Sequence, residues 1–457
     1  MKVNHMTQDE KVGYLTTEPI PKLICEMSVP TIISMLVSSF YNMVDTMFVG
    51  KLNTQSTGAV GIAFAIMALI QAIGFFFGHG SGNYISRKLG AREYEDAEKM
   101  AATGFFSAVM TGLILAVAGV IFVKPIAVIL GSTDTILPYA VSYLRVIFVG
   151  APFIMGSFVV NNQLRFQGSA SFAMVGIVSG AVLNIVLDPL LIFVFDMGIA
   201  GAAWATVISQ FVSFVILIFM NIKNATIRIH FKNFTPSLYY FGNIFRGGIP
   251  SLCRQGIGSI STLCLNHVSK IYGGSMADAT IAAMSIVSRI SMFANSALIG
   301  FGQGFQPVCG TNYGAGKYRR VREAFYFSVK IGTIVLLCIS IAGFAFARPL
   351  IFVFRDDPEV IPIGVLALRA QCLVFALNAW TIMCNMMLQT IGMALRASIV
   401  AAARQGVFFI PLIFIMPAFM GVLGIQTAQM VADILAFALA VPMGLSVLKI
   451  LKEDRQE

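Results

Sequence analysis

The chain has 457 residues, a net charge of +10 and a mean hydropathy of +0.83. Apolar residues make up 57% and charged residues only 11%, against about a quarter charged in soluble domains, which excludes an ordinary soluble protein. The composition implies an all-α polytopic membrane protein, and the positive charge does not point to nucleic acid because it sorts by loop.

Residues 1–26 hold Asp9, Glu10, Lys11 and Glu18 and no basic-then-apolar run, so no cleaved signal is expected and the N-terminus is expected in the cytoplasm. Apolar runs predict twelve transmembrane helices near 29–49, 57–78, 101–123, 136–160, 171–195, 199–221, 248–271, 279–303, 325–347, 360–386, 397–418 and 421–447. With both termini inside, the inner segments carry twenty Lys and Arg, Lys2, Arg165 and Arg455 among them; the outer loops carry Lys51, Lys124, Lys270, Arg348 and Arg355. That asymmetry is the positive-inside rule. It predicts a multi-pass protein of the plasma membrane, surrounded by lipid and binding no nucleic acid.

Span one carries a polar stripe, Ser34, Ser38, Asn42 and Asp45, on an apolar helix, and such a stripe must face protein or water. Tyr41 and Asn42 are candidates for substrate contact. The turns Leu89-Gly90-Ala91-Arg92 and Tyr313-Gly314-Ala315-Gly316 read as structural, leading into short amphipathic helices. Tyr143 lies early in span four. Span five holds Asn184-Ile185-Val186-Leu187-Asp188-Pro189 within an apolar run from Phe172 to Phe195. An aspartate at mid-membrane costs about 2.5–3.5 kcal/mol, so a chain that keeps one there usually uses it. Asn184 and Asp188 share a helix face with Gly176 and Gly180, where glycines let a neighbouring helix approach. Pro189 cannot donate to the Ile185 carbonyl, which predicts a kink and a third oxygen for a hard cation. The plainer alternative is that Asp188 caps a second helix beginning at Pro189. Span six brings Thr206 back to the depth of Asp188 and Asp45, and places Gln210 one turn further on.

The connection from Asn221 to Arg246 divides the chain, giving an N-lobe of residues 1–222, a linker of 223–246 and a C-lobe of 247–457. The halves repeat. At an offset of 224, Gly78, Gly80, Gly90 and Ala91 match Gly302, Gly304, Gly314 and Ala315, and Asn161, Leu164 and Gly168 match Asn385, Leu388 and Gly392. Pro30 pairs with Pro250, and Pro189 with Pro411. Six spans per half make the repeats parallel. Arg145 and Arg369, being matched, are expected to snorkel or anchor helix ends. The carboxylates are not matched: Ile410 precedes Pro411, and the region matching Asp45 reads Leu265-Asn266-His267-Val268-Ser269.

Seven cysteines without a CxxC pair indicate neither a disulfide framework nor a zinc site. There is no HExxH, GxSxG or Walker motif, so neither an enzyme nor an ATP-driven pump is indicated and no cofactor is expected. Twenty-four methionines, among them Met35, Met43, Met47, Met155, Met174, Met292, Met383, Met386 and Met387, suit either an adaptable cavity or ordinary packing.

Two six-span repeats, Tyr41-Asn42-Met43-Val44-Asp45-Thr46-Met47-Phe48-Val49-Gly50, the Gly-Ala turns and Asn184 to Pro189 together resemble the multidrug and toxic compound extrusion (MATE) family, in its bacterial and archaeal drug-exporting branches. The resemblance implies an antiporter exporting amphipathic, cationic compounds against H⁺ or Na⁺ by alternating access. It implies an ion site at Asp45, Asn184, Asp188 and Thr206, with Tyr143 beside them, in which Na⁺ would be held by the first four. A branch with acidic residues in spans seven and ten is not matched, since Gln255 and Asn378 stand there. Asp45 and Asp188 suit such coupling, because two adjacent buried carboxyls can take up and release a proton as a pair. A monomer is expected. The competing reading is a lipid or lipid-linked sugar flippase, whose anionic cargo would call for arginines such as Arg254, Arg289 and Arg404.

Overall fold

The computed structural model describes residues 6–453, so Lys2 and Arg455 of the charge count lie outside the described residues. The described chain is almost entirely helical: α1 (Gln8–Thr17), α2 (Ile20–Gly50), α3 (Thr54–Gly90), α4 (Tyr94–Ile121), α5 (Val123–Ile129), α6 (Leu137–Phe166), α7 (Ala170–Pro189), α8 (Gly198–Asn224), α9 (Leu238–Tyr272), α10 (Ala277–Gly314), α11 (Tyr318–Ala345), α12 (Ala347–Phe354), α13 (Val360–Val374), α14 (Asn378–Thr390), α15 (Ala394–Ala402), α16 (Phe409–Met420) and α17 (Val422–Glu453). Eleven helical stretches among the described residues are long and apolar enough to cross a membrane. The twelfth crossing is α9, whose 35 residues suffice in length but whose Arg246, Arg254, Gln255, Asn266 and His267 lower its hydropathy.

Several helices outrun their predicted ends. α3 continues to Gly90 and α10 to Gly314, so each Gly-Ala turn closes a continuous helix and leads directly into the long α4 or α11, with no short amphipathic helix between. α9 begins at Leu238, so the irregular part of the central connection is 225–237, with one 3₁₀ turn at Phe231–Asn233. Two short helices not foreseen, α5 and α12, begin 224 residues apart (347 − 123), a further trace of the duplication.

The buried apolar residues fall into four cores, two built mainly from α3–α8 and two mainly from α10–α17, and these cores do not respect the midpoint of the chain; α2–α8 are called the N-lobe below and α9–α17 the C-lobe. Ile20, Leu23, Ile24 and Met27 at the start of α2 lie in an apolar core otherwise built mainly from α10, α11, α14 and α17. Reciprocally, Tyr240 and Ile244 at the start of α9 lie in a core built from α3, α4 and α6. Each lobe's first helix therefore starts in the other lobe and crosses the seam. Asp96 of α4 secures the α9 crossing by accepting the Tyr240 hydroxyl at 2.6 Å. At the matching position, Arg320 of α11 secures the other, donating to the backbone carbonyl of Glu18 at 2.5 Å.

The same end of the molecule holds a two-fold clasp. A Cβ on Gly90 would strike the Thr311 carbonyl, and one on Gly314 would strike the Arg87 carbonyl; only glycine lets these backbones meet. Arg92 and Gly316, in the two matching turns, take left-handed φ of 61° and 69°. This end also carries most Lys and Arg and is called the basic end below. Arg145 and Arg369 are both exposed, in keeping with snorkelling, and Arg369 donates to the Phe344 carbonyl at 3.3 Å.

Candidate ion and substrate site

Four helices of the N-lobe bring the expected ion-site residues together, in the half of the bundle remote from the basic end. α7 supplies Asn184 and Asp188, α2 Asp45, α8 Thr206 and α6 Tyr143. α7 and α8 approach closely because Gly176 packs on Leu217 and Gly180 on Ser213 and the Ser209 carbonyl, the face expected of those glycines. Asp188, Asn184 and Tyr143 are fully or almost fully buried, Asp45 and Thr206 nearly so. Asn184 donates Nδ2 to Asp188 Oδ1 at 3.4 Å, while the Asp45 and Asp188 carboxyls lie within hydrogen-bonding reach of each other. The Tyr143 hydroxyl faces Thr206 and donates to Met67 Sδ at 3.6 Å.

Three oxygens in this cage, Asp45 Oδ1, Asp188 Oδ2 and Asn184 Oδ1, have no hydrogen-bond donor. Buried oxygens of this kind are costly unless something positive joins them, and oxygen is the ligand that H⁺ and hard cations such as Na⁺ require. The residues present therefore fit either cargo. Asp188 is not a helix cap, since its Oδ1 is engaged by Asn184 and the segment after it has no side-chain cap. Nor does the helix break at Pro189. It continues as a π-helix over Leu190–Val194, a local widening common at functional sites.

Tyr41, Thr206 and Gln210 line a small cavity next to this cage, together with Met67, Gln71 and Phe158. Asn42 is turned back on its own helix, donating to the Ser38 carbonyl at 2.7 Å. The polar stripe of α2 thus divides: Asp45 faces the cage, and Ser34 and Ser38 face a second cavity between the lobes.

Comparison with known proteins gives this geometry a family. The model MatE matches residues 30–190 and again 256–415, once per lobe. The chain belongs to the MatE family. It is 29% identical to the multidrug export protein MepA of Staphylococcus aureus (strain MSSA476), over 93% of this chain and 94% of that one, and 29% identical to MepA of Staphylococcus haemolyticus (strain JCSC1435), over 95% of each. Its fold matches that of a multidrug resistance MATE family transporter in an outward-facing conformation, with TM-score 0.92 and 26% identity over 98% of this chain and all of that one. A MATE structure in the straight conformation matches with TM-score 0.91 and 26% identity, over 96% and 98%. This MatE protein is accordingly a multi-pass membrane transporter and not an enzyme.

The C-lobe of this MatE chain has no open counterpart of the cage. Among the described residues three carboxylates are buried, Asp45, Asp188 and Asp433, and only Asp433 is paired: Arg404 Nε at 2.8 Å, Gln429 Nε2 at 2.7 Å and Asn378 Nδ2 at 3.1 Å all donate to it. Arg404 is thus an internal ion-pair partner, and Arg289, Asn266 and His267 are exposed. Of the named methionines, Met155, Met383, Met386 and Met387 are buried packing residues, Met43, Met47 and Met292 are half exposed, and Met35 lines the inter-lobe cavity.

Sequence reasoning placed Arg165 among the inner-loop charges. The structure corrects this: α6 runs on to Phe166, and Arg165 in its last turn is 1% exposed. It lines the inter-lobe cavity and is bonded to His79, a residue that no sequence motif marks. A lone basic residue just past an apolar run reads like a loop charge, and only the length of α6 reveals otherwise.

Proposed function

We propose that this chain is an exporter of amphipathic, cationic drug-like compounds, driven by exchange for H⁺ or Na⁺ at Asp45, Asn184, Asp188 and Thr206 and working by alternating access as a monomer. The observation that carries the reading is the unpaired carboxylate pair: two buried aspartates side by side, with three donorless oxygens and no guanidinium or ammonium against them. A proton or Na⁺ arriving between them offsets their repulsion, and among the described residues no fixed cation pairs with either carboxylate. The names of the MepA relatives support drug export as the task.

Alternating access is supported by where the lobes touch. Hydrogen bonds across the seam run from Asn312 with Leu15, through Ser28 with the Phe301 carbonyl and Thr31 with the Gly300 carbonyl, to Ser39 with Ser296. Beyond Ser39, Phe40, Met43 and Met47 on α2 are each about half exposed. Among the described residues no side-chain hydrogen bond crosses the seam past Ser39, so the lobes are tied together toward the basic end, as expected of a state facing outward if the basic end lies in the cytoplasm of a plasma-membrane protein. An ion that binds the cage better in one arrangement shifts the balance between arrangements, and one that binds both equally shifts nothing.

The test is transport of a fluorescent organic cation by purified protein in vesicles, with a proton gradient or a sodium gradient imposed separately. Export driven by at least one gradient supports the reading, and export indifferent to both refutes the coupling.

A further inference from the structure

The cavity between the lobes, on the closed side of the cleft, is lined by Thr31, Ser34 and Ser38 of α2, Asn161 and Arg165 of α6, and Gln303 of α10. Its charge is opposite to that of the ion cage. Arg165 donates Nη2 to Asn162 Oδ1 at 2.5 Å and to His79 Nε2 at 3.2 Å and stacks 4.9 Å from the Phe166 ring centroid, while its Nε and Nη1 have no hydrogen-bond partner. His79 Nδ1 lies 3.2 Å from the Phe75 carbonyl. A carbonyl only accepts, so Nδ1 carries the proton and Nε2 offers its lone pair to Arg165. His79 therefore serves as a neutral acceptor, and it adds no negative charge.

A second guanidinium comes from the other lobe. Arg254 of α9 is near enough for its charge to act on both Arg165 and His79, and its Nη1 donates to Asn385 Oδ1 at 3.4 Å. Among the ion pairs of the described residues, none involves Arg165 or Arg254. Two guanidiniums close enough to repel each other, one of them with two buried donors unused and neither with a carboxylate partner among the described residues, are costly as a merely structural device. Guanidinium is also the side-chain group best matched to carboxylate and phosphate oxygens.

We infer that Arg165 and Arg254 form an oxyanion subsite of the inter-lobe cavity, which takes a singly charged carboxylate or phosphodiester group of an amphipathic molecule. Asn161, Ser34 and Gln303 supply neutral hydrogen bonds around it, and Phe75 and Phe158 supply an apolar wall. Because one arginine belongs to each lobe, the bound anion bridges the seam and favours the arrangement in which the two approach. The site extends the export reading by adding an anionic group to the cargo it accepts.

The experiment compares two fluorescent probes on the purified protein by polarisation: tetramethylrhodamine with its free carboxylate, and its methyl ester. Arg254→Gln is the informative variant, since Arg254 is only partly buried and carries no ion pair. It is expected to weaken binding of the carboxylate probe about tenfold or more, the usual worth of a charge-assisted hydrogen bond, and to leave the ester unchanged, with Arg254→Lys retaining most of the preference. Arg165→Gln repeats the test from the other lobe, with thermal unfolding checking its fold. Loss of both probes alike, or of neither, in the Arg254 variant overturns the inference. Failure of the ester to bind the unaltered protein counts instead against the cationic-drug reading, and the carboxylate arm still decides the subsite. Repeating the measurement in phosphatidylglycerol against phosphatidylcholine nanodiscs identifies the source of the anion: displacement of the carboxylate probe by phosphatidylglycerol places a lipid phosphodiester there, and no displacement places the free carboxylate there.

Discussion

Asp433 is held by Arg404 at 2.8 Å in the C-lobe, at the position that corresponds to Gln210 beside the N-lobe cage (433 − 223 = 210, the offset that relates Gly198 to Gly421). One lobe carries its cation as a side chain, while the other leaves its carboxylates open. Removing the carboxylate should therefore affect stability rather than coupling. Asp433→Asn is expected to lower stability by up to about 3 kcal/mol, because Arg404 is left without its counter-charge. A joint replacement, Arg404→Met with Asp433→Leu, should recover most of that loss. Thermal unfolding in detergent measures both, and ion-driven transport should persist in the double variant.

The cage makes the opposite prediction. Asp45→Asn and Asp188→Asn should each abolish gradient-driven export while the protein still reaches the membrane, since neither carboxylate has a counterpart in the C-lobe. Thr206→Ala should reduce transport less, because water can replace a neutral oxygen. Transport in vesicles, normalised to expression, checks the order, and normal export by both aspartate variants would remove the ion site.

The two matched prolines should not behave alike. Pro189 immediately precedes the π-helix at Leu190–Val194, whereas Pro411 lies in the first turn of α16, after a π-helix at Ala403–Val407. In a first turn the missing N–H breaks no intrahelical bond. Pro411→Ala should be nearly neutral. Pro189→Ala allows a donor to reach the Ile185 carbonyl and should narrow the widened turn next to Asp188, lowering the ion dependence of transport without unfolding the protein. Equal effects of the two substitutions on ion dependence would show that Pro189 has no special part.

Lys11 in α1 is buried and donates to the Ser169 hydroxyl, and burial pushes its pKa down to about 8 from an ordinary 10.5. The folded protein then binds fewer protons than the unfolded chain between those two values, so stability rises with pH across that window and the penalty is complete below pH 8. It amounts to on the order of 1–3 kcal/mol. Lys11→Met should stabilise the protein at pH 7 and remove the rise in melting temperature between pH 8 and 10, as unfolding scans at the two ends of the window would record.

Much of this was legible in the chain. Twelve apolar runs, the offset of 224 and the carboxylate pair follow from hydropathy, spacing and the cost of charge in a membrane, and these signals are local. The π-helix after Pro189 was not legible, because a proline in an apolar run predicts lost bonds but not how the following turn regains them. The burial of Arg165 and His79 was hidden for another reason: the bond that joins them runs between two helices, α6 and α3, and spacing along one helix does not show it. Asn42 shows the limit of helix periodicity, since sharing a face with Asp45 does not stop a side chain from bonding to its own backbone.

The crossed first helices carry a consequence for how such a molecule could be divided or built. A chain cut within 225–237 would yield two fragments, one exposing Ile20, Leu23, Ile24 and Met27, the other exposing Tyr240 and Ile244. Neither fragment can complete its own core, yet each carries the piece that the other lacks. The architecture is that of a domain-swapped dimer whose two protomers have been joined into one chain. A six-helix forerunner of either half would have had to pair with a second copy before it possessed a finished interior.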